Sequence, residues 1–126
     1  MKRLIVRILF YSGIAAGLVL AGCGSNSNPV SSGNKIFDSG TVAPGGHFTF
    51  VFASAMVVPY YCKFHGGAGG VGMSGKITIQ AGGTPSKDTV SMAAMAFNPA
   101  ALTVDVGDTV VWINNNTLSH TVTSDN

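Results

Sequence analysis

Two stretches of strict two-residue alternation set the fold class of this 126-residue chain. In residues 47–52, Phe48, Phe50 and Phe52 fall on one face, with His47, Thr49 and Val51 on the other. Downstream, Leu102, Val104 and Val106 alternate as far as Gly107-Asp108, and Val110, Trp112 and Asn114 resume the period opposite Val111 and Ile113. Successive side chains of an extended chain point to opposite sides, so both stretches read as strands with one face in a core. Turn residues punctuate the rest at short intervals: Ser39-Gly40, Pro44-Gly45-Gly46, Phe97-Asn98-Pro99 and Gly107-Asp108. No helical period of useful length occurs. The expected architecture is all-β, a sandwich or small barrel of short strands around one modest core. Residues 53–58 fit either a loop or a strand approach, Pro59 is expected to break any ladder, and residues 66–72, with five glycines, read as a pliable loop.

The N-terminal part has a different character. Lys2, Arg3 and Arg7 precede an apolar run over residues 8–21 that ends in Leu20-Ala21-Gly22-Cys23. Its length and flanks suit a secretory signal peptide better than a membrane span. The four closing residues resemble the lipobox of bacterial lipoproteins, which implies cleavage before Cys23 and a lipid on its sulfur. Residues 1–22 are thus expected to be the signal, residues 23–34, rich in Gly, Ser and Asn, a flexible tether, and residues 35–126 one domain. The expected product is exported and lipid-anchored on the periplasmic or extracytoplasmic face of a bacterial membrane. After cleavage, Lys35, Lys63, Lys76 and Lys87 face Asp38, Asp88, Asp105, Asp108 and Asp125, a balance of 4 − 5 = −1. No basic patch remains to suggest nucleic acid.

With Cys23 lipidated, Cys62 has no disulfide partner. A lone thiol is ordinarily a small buried hydrophobe. Cys62, however, keeps unusual company: His65 follows at a spacing of three, Met73 lies a short loop further on, and His120 closes a distant strand-like segment. One thiolate, two imidazoles and a weakly held thioether form the blue-copper ligand set, suited to electron transfer. Met56, Met92 and Met95 read as core or loop residues, His47 as solvent-facing, and Trp112 as core. Tyr60 and Tyr61 are expected to pack beside the metal loop.

These residues bring a family into view. Phe37-Asp38-Ser39-Gly40, the strand over residues 46–52, Tyr60-Tyr61-Cys62, His65, Met73 and Gly75-Lys76-Ile77 resemble the second half of a cupredoxin, the small blue-copper fold of the plastocyanin and amicyanin type. Phe97-Asn98-Pro99, Val104, Gly107-Asp108, Val110, Trp112, Asn114 and His120-Thr121-Val122 resemble the first half. The resemblance implies a Greek-key β-sandwich holding one type 1 copper ion between Cys62, His65, Met73 and His120. It also implies that the halves, residues 35–80 and 89–126, stand in reverse order. Circular permutation, with the former ends joined through residues 81–88, competes with a rearranged gene remnant; neither half is missing or duplicated, which favours permutation.

The function expected on these grounds is one-electron carriage between redox protein partners by a membrane-tethered monomer, with no small-molecule substrate. A copper-binding or copper-delivery lipoprotein is the alternative, beside an inactive remnant. An oxidase is disfavoured, because His47, His65 and His120 are the chain's three histidines and two would serve the blue site. No paired acids or activated hydroxyl suggest hydrolysis.

Overall fold

The computed structural model describes residues 35–125. The expected signal peptide, Cys23 and the tether lie outside the described residues, as does Asn126. Among the described residues no helix is long and apolar enough to cross a membrane.

Among the described residues, eight strands form two four-stranded sheets. In chain order they are β1 (His47–Val51), β2 (Met56–Gly67), β3 (Val71–Gln80), β4 (Lys87–Ala93), β5 (Ala96–Asn98), β6 (Ala101–Asp105), β7 (Thr109–Asn114) and β8 (Thr123–Ser124). One sheet runs β1-β7-β4-β5 and the other β6-β3-β2-β8, with β4 parallel to β7 and β3 parallel to β6. The alternation in the sequence becomes the inward face. Val110 and Trp112, Val90 and Met92, and Val58, Tyr60 and Cys62 are buried at two-residue intervals, and Phe48 and Phe52 are buried on either side of the half-buried Phe50.

Aromatic rings fill the centre. Phe37 is fully buried, with ring centroids 5.2–6.2 Å from Phe48, Phe50, Phe52, Tyr60 and Trp112. Its segment, residues 35–42, is an arm rather than a regular strand. It bridges the C-terminal part of the chain at Asp38–Thr123 and Val42–His120. The two ends of the described chain therefore meet: Lys35 Nζ donates to the Ser124 carbonyl at 3.0 Å, and the Ser124 hydroxyl accepts from Ile36 N at 2.8 Å.

Three local expectations are revised. Residues 56–58 are strand, and β2 runs on through Pro59, which pairs with Lys76. The ladder survives because the Pro59 carbonyl faces Asp125 N, at 2.9 Å, so the side lacking an N–H points to the end of β8. The glycine-rich residues 66–72 are an ordered hairpin, paired at Gly66–Gly72 and Gly67–Val71. Phe97 and Asn98 belong to β5, the chain turning after them.

The connection between β3 and β4, residues 81–86, is laced to the β6–β7 turn. The buried Asp108 carboxylate accepts from Ser86 N at 2.6 Å and Asp105 N at 2.7 Å, and Thr109 N donates to the Ser86 carbonyl at 2.9 Å. Those two amides hold the Asp108 carboxyl below its ordinary value, against the opposing effect of burial.

Candidate metal centre

The inward column Val58, Tyr60, Cys62 ends at one pole of the sandwich, where β2 loses register. Tyr61 pairs with Ser74, and the next pair is Gly66–Gly72. Residues 62–65 thus stand opposite the single residue Met73, a four-against-one bulge that turns Cys62 and His65 onto the same point. Met73 continues the inward column of β3, after Ile79, Ile77 and Gly75, and is 2 % exposed. The neck of the hairpin requires glycines. A Cβ on Gly66 would lie 2.5 Å from the Met73 carbonyl oxygen, and one on Gly72, at φ +64°, 2.5 Å from that of His65.

His120 arrives from the other end of the chain. Its backbone is held in both directions by Val42: Val42 N donates to the His120 carbonyl at 2.7 Å and His120 N to the Val42 carbonyl at 3.1 Å. The ring is buried beside the bulge. Cys62 Sγ lies 3.5 Å from His65 Nδ1 and 3.6 Å from His120 Nδ1, and the two Nδ1 atoms are 3.1 Å apart. Imidazole and thiolate bonds of roughly 2.0–2.3 Å to a first-row ion separate neighbouring donors by about 3.4–3.8 Å. The three donor atoms fit such an ion with an adjustment of a few tenths of an ångström between the imidazoles.

The surroundings favour the states a metal needs. Burial, and then the neighbouring His65, push the His120 imidazolium to a lower pKa, so its ring is held as the neutral donor. Thr121 N points at Cys62 Sγ from 3.4 Å, a donor suited to a thiolate, and Thr121 Oγ1 accepts from Lys63 N at 2.8 Å. Lys63 also pairs with Asp38, whose carboxylate accepts from Thr123 Oγ1 at 3.3 Å. A polar strap therefore runs from the arm across β8 to the Cys62–His65 bulge. Asp38 is pulled below its ordinary value: burial opposes ionisation, but the Lys63 ammonium, the Gly40 amide and the Thr123 hydroxyl outweigh it.

Of the residues singled out from the sequence, Cys62, His65 and His120 converge as one cluster, and the register sets Met73 across from two of them. Cys62 and His120 are fully buried while His65 is half-buried, which makes its imidazole the solvent-facing edge. His47 is exposed on β1, apart from the cluster; Trp112 and Met92 are core, and Met56 and Met95 lie at the surface. Phe64, Val71 and Leu118 are exposed large apolar side chains on the segments that carry the candidate ligand residues. Thr121 and Asn114 were not legible as site residues; a hydroxyl directly after His120 and a polar residue at an inward strand position were the available signals.

Residues 85–126, a third of the chain, match the family model for copper binding proteins of the plastocyanin/azurin family. That segment contains His120. No curated protein and no solved structure is similar enough to this chain to count as a match.

Proposed function

We propose that this chain, whose residues 85–126 match the family model for copper binding proteins of the plastocyanin/azurin family and whose described residues form an all-β sandwich with a Cys62–His65–His120 cluster, is a type 1 copper electron carrier. Cys62, His65 and His120 would hold one ion, with the buried Met73 on the facing strand as a weaker fourth ligand. Bound there, copper would supply a one-electron couple whose potential the thiolate and thioether ligands tune. The observation that carries the reading is the spacing of three soft or borderline donor atoms, 3.1–3.6 Å apart, at the end of a packed core.

The protein's part is to keep those donors still. Cys62 and Met73 are buried beside the last regular pair of β2 and β3, Tyr61–Ser74, and His120 is held by the arm, so the ligand set would barely rearrange between oxidation states. The half-buried His65 edge, flanked by Phe64, offers the short route to a redox partner. Burial of Cys62, Met73 and His120 to 2 % exposure or less speaks for a retained ion rather than delivery. Turnover of a substrate is not part of this reading.

We read the chain order as a circular permutation of the family's usual order. The ordered 81–86 connection and the contact between Lys35 and Ser124 support it. The lipid anchor on Cys23 and the exported, membrane-tethered location are part of the same proposal, resting on the sequence of residues 1–23.

The test is the visible spectrum of the purified monomeric chain after addition of Cu(II). Intense thiolate-to-copper charge transfer, lost in Cys62→Ser, is expected. A chain that takes up copper without that band, or takes up none, would overturn the reading.

A further inference from the structure

Asn114 is the last residue of β7 and continues the inward column of Val110 and Trp112. The side chain is fully buried, yet polar. A buried amide is costly unless each of its groups is paired. All of them are. Nδ2 donates to the Val42 carbonyl at 2.9 Å and the Leu118 carbonyl at 2.8 Å, and Oδ1 accepts from Asn116 N at 2.9 Å. Its backbone is engaged too: Asn114 N donates to the Gly46 carbonyl at 2.9 Å and its carbonyl accepts from Gly45 N at 2.8 Å.

The partners define the role. Asn116 and Leu118 belong to the loop that delivers His120, and Val42 O is also the acceptor of His120 N. The Asn114 amide and the His120 backbone thus share one carbonyl oxygen. One side chain ties the end of a core strand to both supports of the His120 backbone, the arm and the preceding loop. Asn115, next along the chain, is exposed; its side chain donates sideways to Ser91 Oγ at 2.8 Å and its backbone N to the Met92 carbonyl at 3.0 Å, neither on the His120 loop.

We propose that Asn114 is a positioning residue for His120, fixing where its imidazole stands relative to Cys62. The proposal rests on the copper reading for its functional meaning, while its geometric content concerns the metal-free protein. A residue that only fills the core would stabilise the whole sandwich evenly. A positioning residue acts on residues 116–120 first.

The test uses the full chain in two measurements. In the metal-free wild type, the Asn114 side-chain NH2 and the His120 amide are followed by hydrogen exchange. Both are expected to be protected at least tenfold more than the Asn115 side-chain NH2. Equal exchange of the Asn114 and Asn115 side chains would overturn the proposal, whether or not any variant folds. The second measurement compares Asn114→Ala with Asn115→Ala in Cu(I) competition against a chromogenic chelator and in exchange of the metal-free proteins. Asn114→Ala should lose His120 amide protection at least tenfold more than it loses Trp112 protection, and should bind Cu(I) at least tenfold more weakly, with Asn115→Ala unchanged. Uniform loss of protection across Trp112 and His120, or undiminished Cu(I) affinity in a folded Asn114→Ala chain, would sink the positioning role. If the wild type binds no Cu(I), the copper reading fails and the exchange data alone still decide what Asn114 holds.

Discussion

The Asp125 carboxylate accepts a hydrogen bond from Gly69 N at 2.8 Å, joining the end of the described chain to the tip of the glycine hairpin. Asp125 sits beside Pro59, below the bulge, so the hairpin folds back along β8 instead of projecting beyond the sandwich. An exposed bond of this kind contributes about 0.5–1.5 kcal/mol. Asp125→Ala should leave the global unfolding midpoint nearly unchanged while amides of residues 67–71 exchange faster by up to about tenfold. Unaltered exchange across the hairpin would show that the neck, not the tip, holds it.

Phe37 supplies the arm's anchor in the aromatic core. Replacing a fully buried Phe by Ala costs about 3–5 kcal/mol, and here it also frees the strip that braces His120. Phe37→Ala should lower stability by that amount in urea unfolding. A loss below about 1 kcal/mol would mean that the arm is not part of the cooperative core.

Acid sensitivity follows from Asp38 and Asp108, whose folded pKa values both lie below their unfolded ones. The unfolded chain then binds more protons in the interval between the two values. The stability these carboxylates contribute is complete above about pH 4 and disappears as pH falls through the lowered folded values. The double variant Asp38→Asn, Asp108→Asn should be less stable at pH 7 but flatter below pH 4. Parallel pH profiles for the two proteins would place the acid response elsewhere.

Loss of His120 should harm metal binding as much as loss of His65, although 55 residues separate them. Changes one shell out from a metal already cost about 10–100-fold in affinity, so His65→Ala and His120→Ala should each exceed that for Cu(II), measured by chelator competition. Retention of wild-type affinity by His120→Ala would remove it from the ligand set.

Reordering the chain tests the permutation. Residue 125 joined to residue 35 through a short turn, with new ends opened between residues 81 and 86, keeps every strand pairing described above. The reordered chain should give the same far-UV circular dichroism and a cooperative melt. An unfolded or aggregated product would show that the native order is required.

The sequence exposed the sandwich well because its inward columns are regular: Phe48, Phe50, Phe52 and Val110, Trp112 alternate as a half-buried strand must. Cys62, His65 and His120 stood out because thiol and imidazole are scarce and chemically specific. What stayed hidden depended on pairing. Pro59 could remain in a strand only because of where β8 ends, and the hairpin over residues 66–72 owes its order to a close backbone approach that composition alone reads as looseness. Asn114 looked like the continuation of a period, since nothing local reveals that Val42 and Leu118 converge on its amide.

The separation of 58 positions from Cys62 to His120 also gives the cluster a place in time. A ribosome finishes Cys62 and His65 first, and the partner imidazole follows 55 residues after His65. Any chain cut short between His65 and His120 carries the Cys62 thiol and the His65 imidazole without their partner, with the β2 edge uncovered and the arm unclasped. The cluster therefore closes only once synthesis has passed His120 and β8 can pair with β2.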